Sequence, residues 1–207
     1  MLYFKRALKL DCRFLSAWTL MGHEYLEMKN TPAAIESYRT AVDIDPSDFR
    51  AWYGLGQTYE IHQMYNYASH YFANAALSRP QDSRMWSAMA GCYEKMDKKI
   101  DATKCYDRAE RYKDKEGIAL HKLATLYISM GEIEKAASCF RENLRRKDNE
   151  EVESTETVEA LMFLAKYCRA NKQYEEALNY ARRLHDYNGA EREEASALIR
   201  EIIAIAK

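Results

Sequence analysis

The chain has 207 residues and a formal net charge of −1, with 31 Lys and Arg against 32 Asp and Glu, which leaves no general field for nucleic acid or an anionic membrane. Hydrophobic residues make up 47% and charged residues 30%, with only 7 Gly and 3 Pro, a balance that suits helices whose polar faces stay wet. No window approaches the ~20 apolar residues that span a bilayer, so a soluble chain is expected.

The first predicted element, residues 1–12, has the basic amphipathic look of a targeting peptide, but Phe4 and Ala7 fit the register of the repeat that follows it. It is therefore read as half a repeat whose earlier part is missing from this chain. From Leu15 onward a 34-residue period sets in, marked by Trp18, Trp52 and Trp86 and by Tyr25, Tyr59, Tyr93 and Tyr127. Position 8 of the repeat holds Gly22, Gly56, Ala90, Ala124 and Ala165, and position 20 holds Ala34, Ala68, Ala102, Ala136 and Ala177. Position 24 holds Tyr38, Phe72, Tyr106 and Phe140. This is the tetratricopeptide (TPR) pattern, in which each repeat forms helix A near positions 1 to 14 and helix B near positions 17 to 30. The expected fold is all-α, a right-handed TPR superhelix (an α-solenoid), with repeats at 15–48, 49–82, 83–116, 117–150 and 158–191.

The first turn predicts Thr31 as N-cap with Pro32 at N1. Repeat five is out of phase by seven residues, and the excess is assigned to an inserted acidic loop at 151–157. A capping helix is expected at 192–206, where Ala195, Leu198, Ile199, Ile202, Ile203 and Ala206 follow helical spacing. In register, the Trp and Tyr residues are core material, and Trp52 is expected to be buried between hairpins. The cluster Arg141, Arg145, Arg146 and Lys147 reads as a solvated helix end.

The five cysteines are odd in number and form no C-x₂-C pair, which suggests a reducing cytosolic or nuclear compartment. His23, His62, His70, His121 and His185 fall on different repeats without metal-ligand spacing, and Gly54-Leu-Gly56 lacks a phosphate loop's third glycine. No catalysis, cofactor or metal is expected. Recognition remains, on the concave wall built by helix A positions 2, 5, 6, 9, 12 and 13. The peptide groove expected there comprises His23, Leu26, Glu27, Asn30, Tyr53, Gln57, Glu60 and Glu94, suited to an extended peptide with an Arg and apolar neighbours. The carboxylate clamp of co-chaperone TPR domains does not fit, because Thr19, His23, Gly54, Arg84 and Ala88 occupy its positions with a single match.

Three strings are more individual than the repeat requires: Tyr3-Phe-Lys-Arg-Ala-Leu-Lys-Leu10, Ala17-Trp-Thr-Leu-Met-Gly-His-Glu-Tyr-Leu-Glu-Met-Lys-Asn30 and Arg50-Ala-Trp-Tyr-Gly-Leu-Gly-Gln-Thr-Tyr-Glu60. They closely resemble the C-terminal TPR arrays of the cell division cycle protein 23 homologues. The sister protein 27 homologues share parts of the same strings, while Glu27-Met-Lys-Asn30 and Gln57-Thr-Tyr-Glu60 favour the protein 23 type. The resemblance implies a non-catalytic scaffold of a RING-type ubiquitin ligase, the anaphase-promoting complex, acting in mitosis in nucleus and cytoplasm. Its implied partners are the other subunits and an activator whose short C-box motif, a basic residue with hydrophobic neighbours, docks in the groove. It also implies homodimerisation through N-terminal repeats that this chain lacks. The rival expectation is a TPR arm of another multidomain protein, such as a glycosyltransferase or phosphatase.

Overall fold

Small residues at repeat positions 8 and 20 decide where helices approach, and the aromatic at position 24 fills the space between them. The computed structural model describes residues 1–112, 114, 117–150, 155–187 and 190–205, and all its regular structure there is helical. The helices are α1 Leu2–Leu10, α2 Leu15–Glu27, α3 Thr31–Ile44, α4 Phe49–Ile61, α5 Tyr65–Ser78, α6 Ser83–Lys95 and α7 Lys99–Arg111. They continue with α8 Ile118–Ser129, α9 Ile133–Glu150, α10 Thr155–Ala170, α11 Tyr174–His185 and α12 Ala190–Ile205. The chain divides into two compact units, Met1–Asp114 and Lys115–Lys207.

In the first unit, α2/α3, α4/α5 and α6/α7 form consecutive hairpins, with α1 packed on α2. The core around Tyr38 comprises Ala34, Ala41, Val42, Ala51 and Leu55, with Trp18, Leu26, Trp52 and Tyr59 packed against it. Tyr38 is fully buried because Gly22 and Gly54 admit its ring: a Cβ would lie 2.5 Å from it on Gly22 and 2.4 Å from it on Gly54. Gly56 admits Phe72 in the same way, one repeat further on.

Each indole of the repeat holds the preceding inter-repeat turn. The Nε1–H groups of Trp18, Trp52 and Trp86 donate to the carbonyls of Cys12, Pro46 and Pro80, each at 2.8 Å. Trp86 is buried, with the Arg108 guanidinium over its ring, but Trp52, stacked on Tyr71, is only half-buried, contrary to the expectation from register.

The turns inside the hairpins share one backbone solution. Lys29, Gln63, Asp97 and Lys172 adopt positive φ of 57 to 62°, and Gly131 does so at 79°. The next residue's N–H reaches back to the carbonyl of Tyr25, Tyr59, Tyr93, Cys168 or Tyr127, respectively, at 2.8 to 2.9 Å. These are Schellman caps, which satisfy the last carbonyls of helix A. At the first turn the N-cap is Asn30, not Thr31: the Asn30 side chain accepts from Ala33 N, while Thr31 begins the helix.

The second unit consists of hairpins α8/α9 and α10/α11 followed by α12. Phe140, Leu144, Leu161, Leu164 and Leu184 form its core, and Ala195, Leu198 and Ile202 of α12 are buried. Ile203 is largely exposed, and Ala206 falls outside the described residues. The inserted segment also differs from the expected loop. Helix α9 runs to Glu150 and α10 starts at Thr155, so residues 155–157 are helical and only 151–154 fall outside the described residues. Buried Lys147 pairs with Glu156 at 2.7 Å and Thr157 is also buried, which fastens the start of α10 to the end of α9.

Candidate peptide-docking site

The helix-A face of the first unit is built around the ring of Tyr38. Held between α2 and α4, that ring delivers its hydroxyl to His23 Nδ1 at 2.9 Å, with the two rings edge to face. Burial lowers the His23 pKa and Arg50 lowers it further, while Asp48 and Glu27 pull it up. Burial also raises the Tyr38 pKa, reinforced by Glu27. A neutral imidazole facing a protonated phenol follows; where Nδ1 accepts from Tyr38, Nε2–H is left to donate.

A cap motif frames each following helix A. Asp48 is buried and caps α4 by accepting from Arg50 N at 3.1 Å, while also binding Arg50 Nε at 2.9 Å and the Thr19 hydroxyl at 3.2 Å. Asp82 repeats the arrangement on α6, with Arg84 N at 3.2 Å and Arg84 Nη2 at 2.7 Å. Both arginines are thus held by their own capping carboxylates. The burial of Asp48 and this Asp-x-Arg role escaped the sequence reading, although the repetition of Asp48-Phe-Arg50 as Asp82-Ser-Arg84 at the 34-residue period carried the signal.

Further along α4, Tyr53 is half-buried against Phe72, with ring centroids 5.3 Å apart. Burial raises its hydroxyl pKa, as do Glu60 and Asp82, against the opposing charge of Arg84. Glu60 is half-buried, and burial raises its carboxyl pKa while Lys95 of α6 opposes the shift. Cys92 is buried beside this carboxylate, and burial followed by the Glu60 charge pushes its thiol up to about 12, which makes it unreactive. Gln57 is half-buried on the same helix. Burial, reinforced by the Glu94 charge, raises the Tyr106 hydroxyl pKa, and Oε1 of Glu94 is buried without a hydrogen-bond partner.

The expected site residues therefore separate by role. His23 and Glu27 share one electrostatic neighbourhood with Asp48 and Arg50, and Tyr53 and Glu60 share another with Arg84 and Lys95. Leu26 is half-buried and packs against the Tyr38 core. Asn30 spends its side-chain oxygen on capping α3. Among the described residues, no three His, Cys, Asp or Glu side chains converge as a metal site, and no helix is long and apolar enough to cross a membrane.

Known proteins resemble this chain at two scales. Short stretches are nearly shared with subunits of one complex: 78% identity over 32 residues with anaphase-promoting complex subunit 8 of Arabidopsis thaliana and 73% over 33 residues with subunit 8 of Dictyostelium discoideum. A 47-residue stretch is 48% identical to the cell division cycle protein 27 homolog of Caenorhabditis elegans. Each match covers 16 to 23% of this chain and about 6% of the relative's length. Solved structures match at larger extent and lower identity. A TPR protein with an unusual peptide-binding site, YrrB, aligns at a TM-score of 0.68 and 17% identity, covering 88% of this chain and 91% of its own. MamA aligns at 0.64 and 20%, covering 77% and 90%. These likenesses establish an all-α fold of the TPR solenoid type. The family model for the C-terminal domain of cilia and flagella-associated protein 70 matches residues 2–201, nearly the whole array of helices, and the chain belongs to that family of TPR domains.

Proposed function

We propose that this chain is a non-catalytic TPR scaffold of an anaphase-promoting ubiquitin ligase, working in nucleus and cytoplasm, and that its helix-A face docks a short segment of the activator. The observation that carries this reading is the 78% identity over 32 residues with subunit 8 of that complex, far above what the TPR pattern itself requires. The chemistry of the face supports a peptide with a basic residue followed by apolar ones. Glu27 is exposed, Glu60 is half-buried with a carboxyl that burial has left short of stabilising charge, and Tyr53 offers a half-buried aromatic ring on the same helix as Glu60. An incoming guanidinium supplies that charge, whereas Arg50 and Arg84 are already committed to Asp48 and Asp82.

Calorimetric titration with an Arg-containing, C-box-like peptide tests the docking face. Reversing Glu27 and Glu60 to Lys is expected to weaken binding at least tenfold while leaving the helical content unchanged; equal affinities overturn the assignment of the face. The membership in the ciliary family favours a second reading, a TPR module of a cilium or flagellum. Co-purification of the full-length protein separates the two: ubiquitin-ligase subunits support the first, and ciliary or flagellar proteins the second.

A further inference from the structure

Helix α3 carries two acids, Glu36 and Asp43, seven residues apart and so about 10 Å apart along one side of the helix. Arg39 stands between them at the i+3 and i−4 spacings at which ion pairs ordinarily form on a helix. It pairs with neither. Its Nη2 donates instead to the Tyr59 hydroxyl at 3.1 Å. Both carboxylates are exposed, and neither forms an ion pair or hydrogen bond with any described residue.

These acids line a groove of about 530 Å³ that has Pro32 and Ile35 on its apolar side and Tyr59 as its far wall. The wall extends beyond the groove, because Tyr59 stacks on Tyr71 at 5.2 Å and on Tyr67 at 5.5 Å, and Tyr67 is 55% exposed. We propose that this groove binds an extended, proline-rich protein segment bearing two cationic side chains three residues apart. A polyproline II strand has three residues per turn and rises about 3.1 Å per residue, so residues i and i+3 project from the same edge about 9 Å apart, close to the rise of about 10 Å between positions 36 and 43 along the helix. Proline rings suit the flat tyrosine wall, and a strand already extended in solution gives up little conformational freedom on docking. Arg39 also lines the groove, turned toward Tyr59, so the lining carries two carboxylates against one guanidinium and presents a net negative charge to its occupant. It uses helix-B residues and Tyr59, independently of His23, Tyr53 and Glu60.

The test is calorimetric titration of the whole 207-residue chain with the peptide Pro-Pro-Arg-Pro-Pro-Arg-Pro-Pro, alongside a peptide with the two arginines adjacent. Saturable binding is expected for the first, at least tenfold weaker binding for the second, and at least a tenfold loss on combining Glu36→Lys with Asp43→Lys. Both positions are exposed, so the melting curve should not change. The Glu27→Lys and Glu60→Lys pair, which disables the proposed docking face, should leave this affinity unaltered. Failure of the first peptide to saturate, equal binding of the two peptides, or equal binding by the charge-reversed chain overturns the proposal.

Discussion

Gly22 and Gly54 place the same demand on Tyr38 from two different helices: each leaves the space that a single methyl group would take from the ring. Gly22→Ala or Gly54→Ala is therefore expected to cost about 1–3 kcal/mol in urea unfolding, even after the helix-propensity gain of roughly 1 kcal/mol. Gly91 is the control, since a Cβ there meets nothing within 4 Å, and Gly91→Ala should stabilise by about 0.5–1 kcal/mol. The same ring governs His23. Because its folded pKa is depressed below 6.5, its contribution to stability is present above that value and is lost as pH falls through the lower folded value. Imidazole NMR titration should show this depression, and Arg50→Gln should raise the His23 pKa by removing a cation and leaving Asp48 uncompensated. A titration at or above 6.5 in the unaltered protein contradicts the assigned burial.

Helix ends carry the next level of constraint. Asp48 and Asp82 occupy equivalent positions, yet Asp48 is 6% exposed and also takes the Thr19 hydroxyl, whereas Asp82 is half-buried without that donor. Asp48→Ala should cost about 1–3 kcal/mol and Asp82→Ala about 0.5–2 kcal/mol, an order that thermal melts of the two variants would check. Likewise Trp86→Ala should cost about 3–5 kcal/mol and half-buried Trp52→Ala roughly half as much. Periodicity made the helices legible, because small residues at positions 8 and 20 and an aromatic at 24 can pack in only one register. It did not show that Asn30 rather than Thr31 caps α3, since the pattern fixes a helix end only to within a residue or two. Nor did it reveal the hydroxyl of Tyr38 bonded to His23, because Phe72 fills the equivalent site with no such group. At the insertion, acidic composition suggested a loop, but residues 155–157 already belong to α10, whose start is fastened by the pairing of buried Lys147 with Glu156.

At the scale of the molecule, the first unit contains every group that sets the environment of His23: Glu27, Tyr38, Asp48 and Arg50. Residues 1–114 expressed alone are therefore expected to unfold cooperatively and keep the depressed His23 pKa; a segment that lacks stable helix by circular dichroism would refute this independence. The turns within the hairpins bear on how any such variant can be studied. Lys29, Gln63, Asp97 and Lys172 each hold a side chain in left-handed backbone that glycine adopts without steric cost, and none belongs to either proposed binding surface. Replacing each by Gly should add roughly 0.5–1 kcal/mol, and sites this far apart sum nearly independently. The four turns thus offer a sturdier background in which charge reversals on the docking face or the α3 groove report lost recognition without being confounded by lost folding.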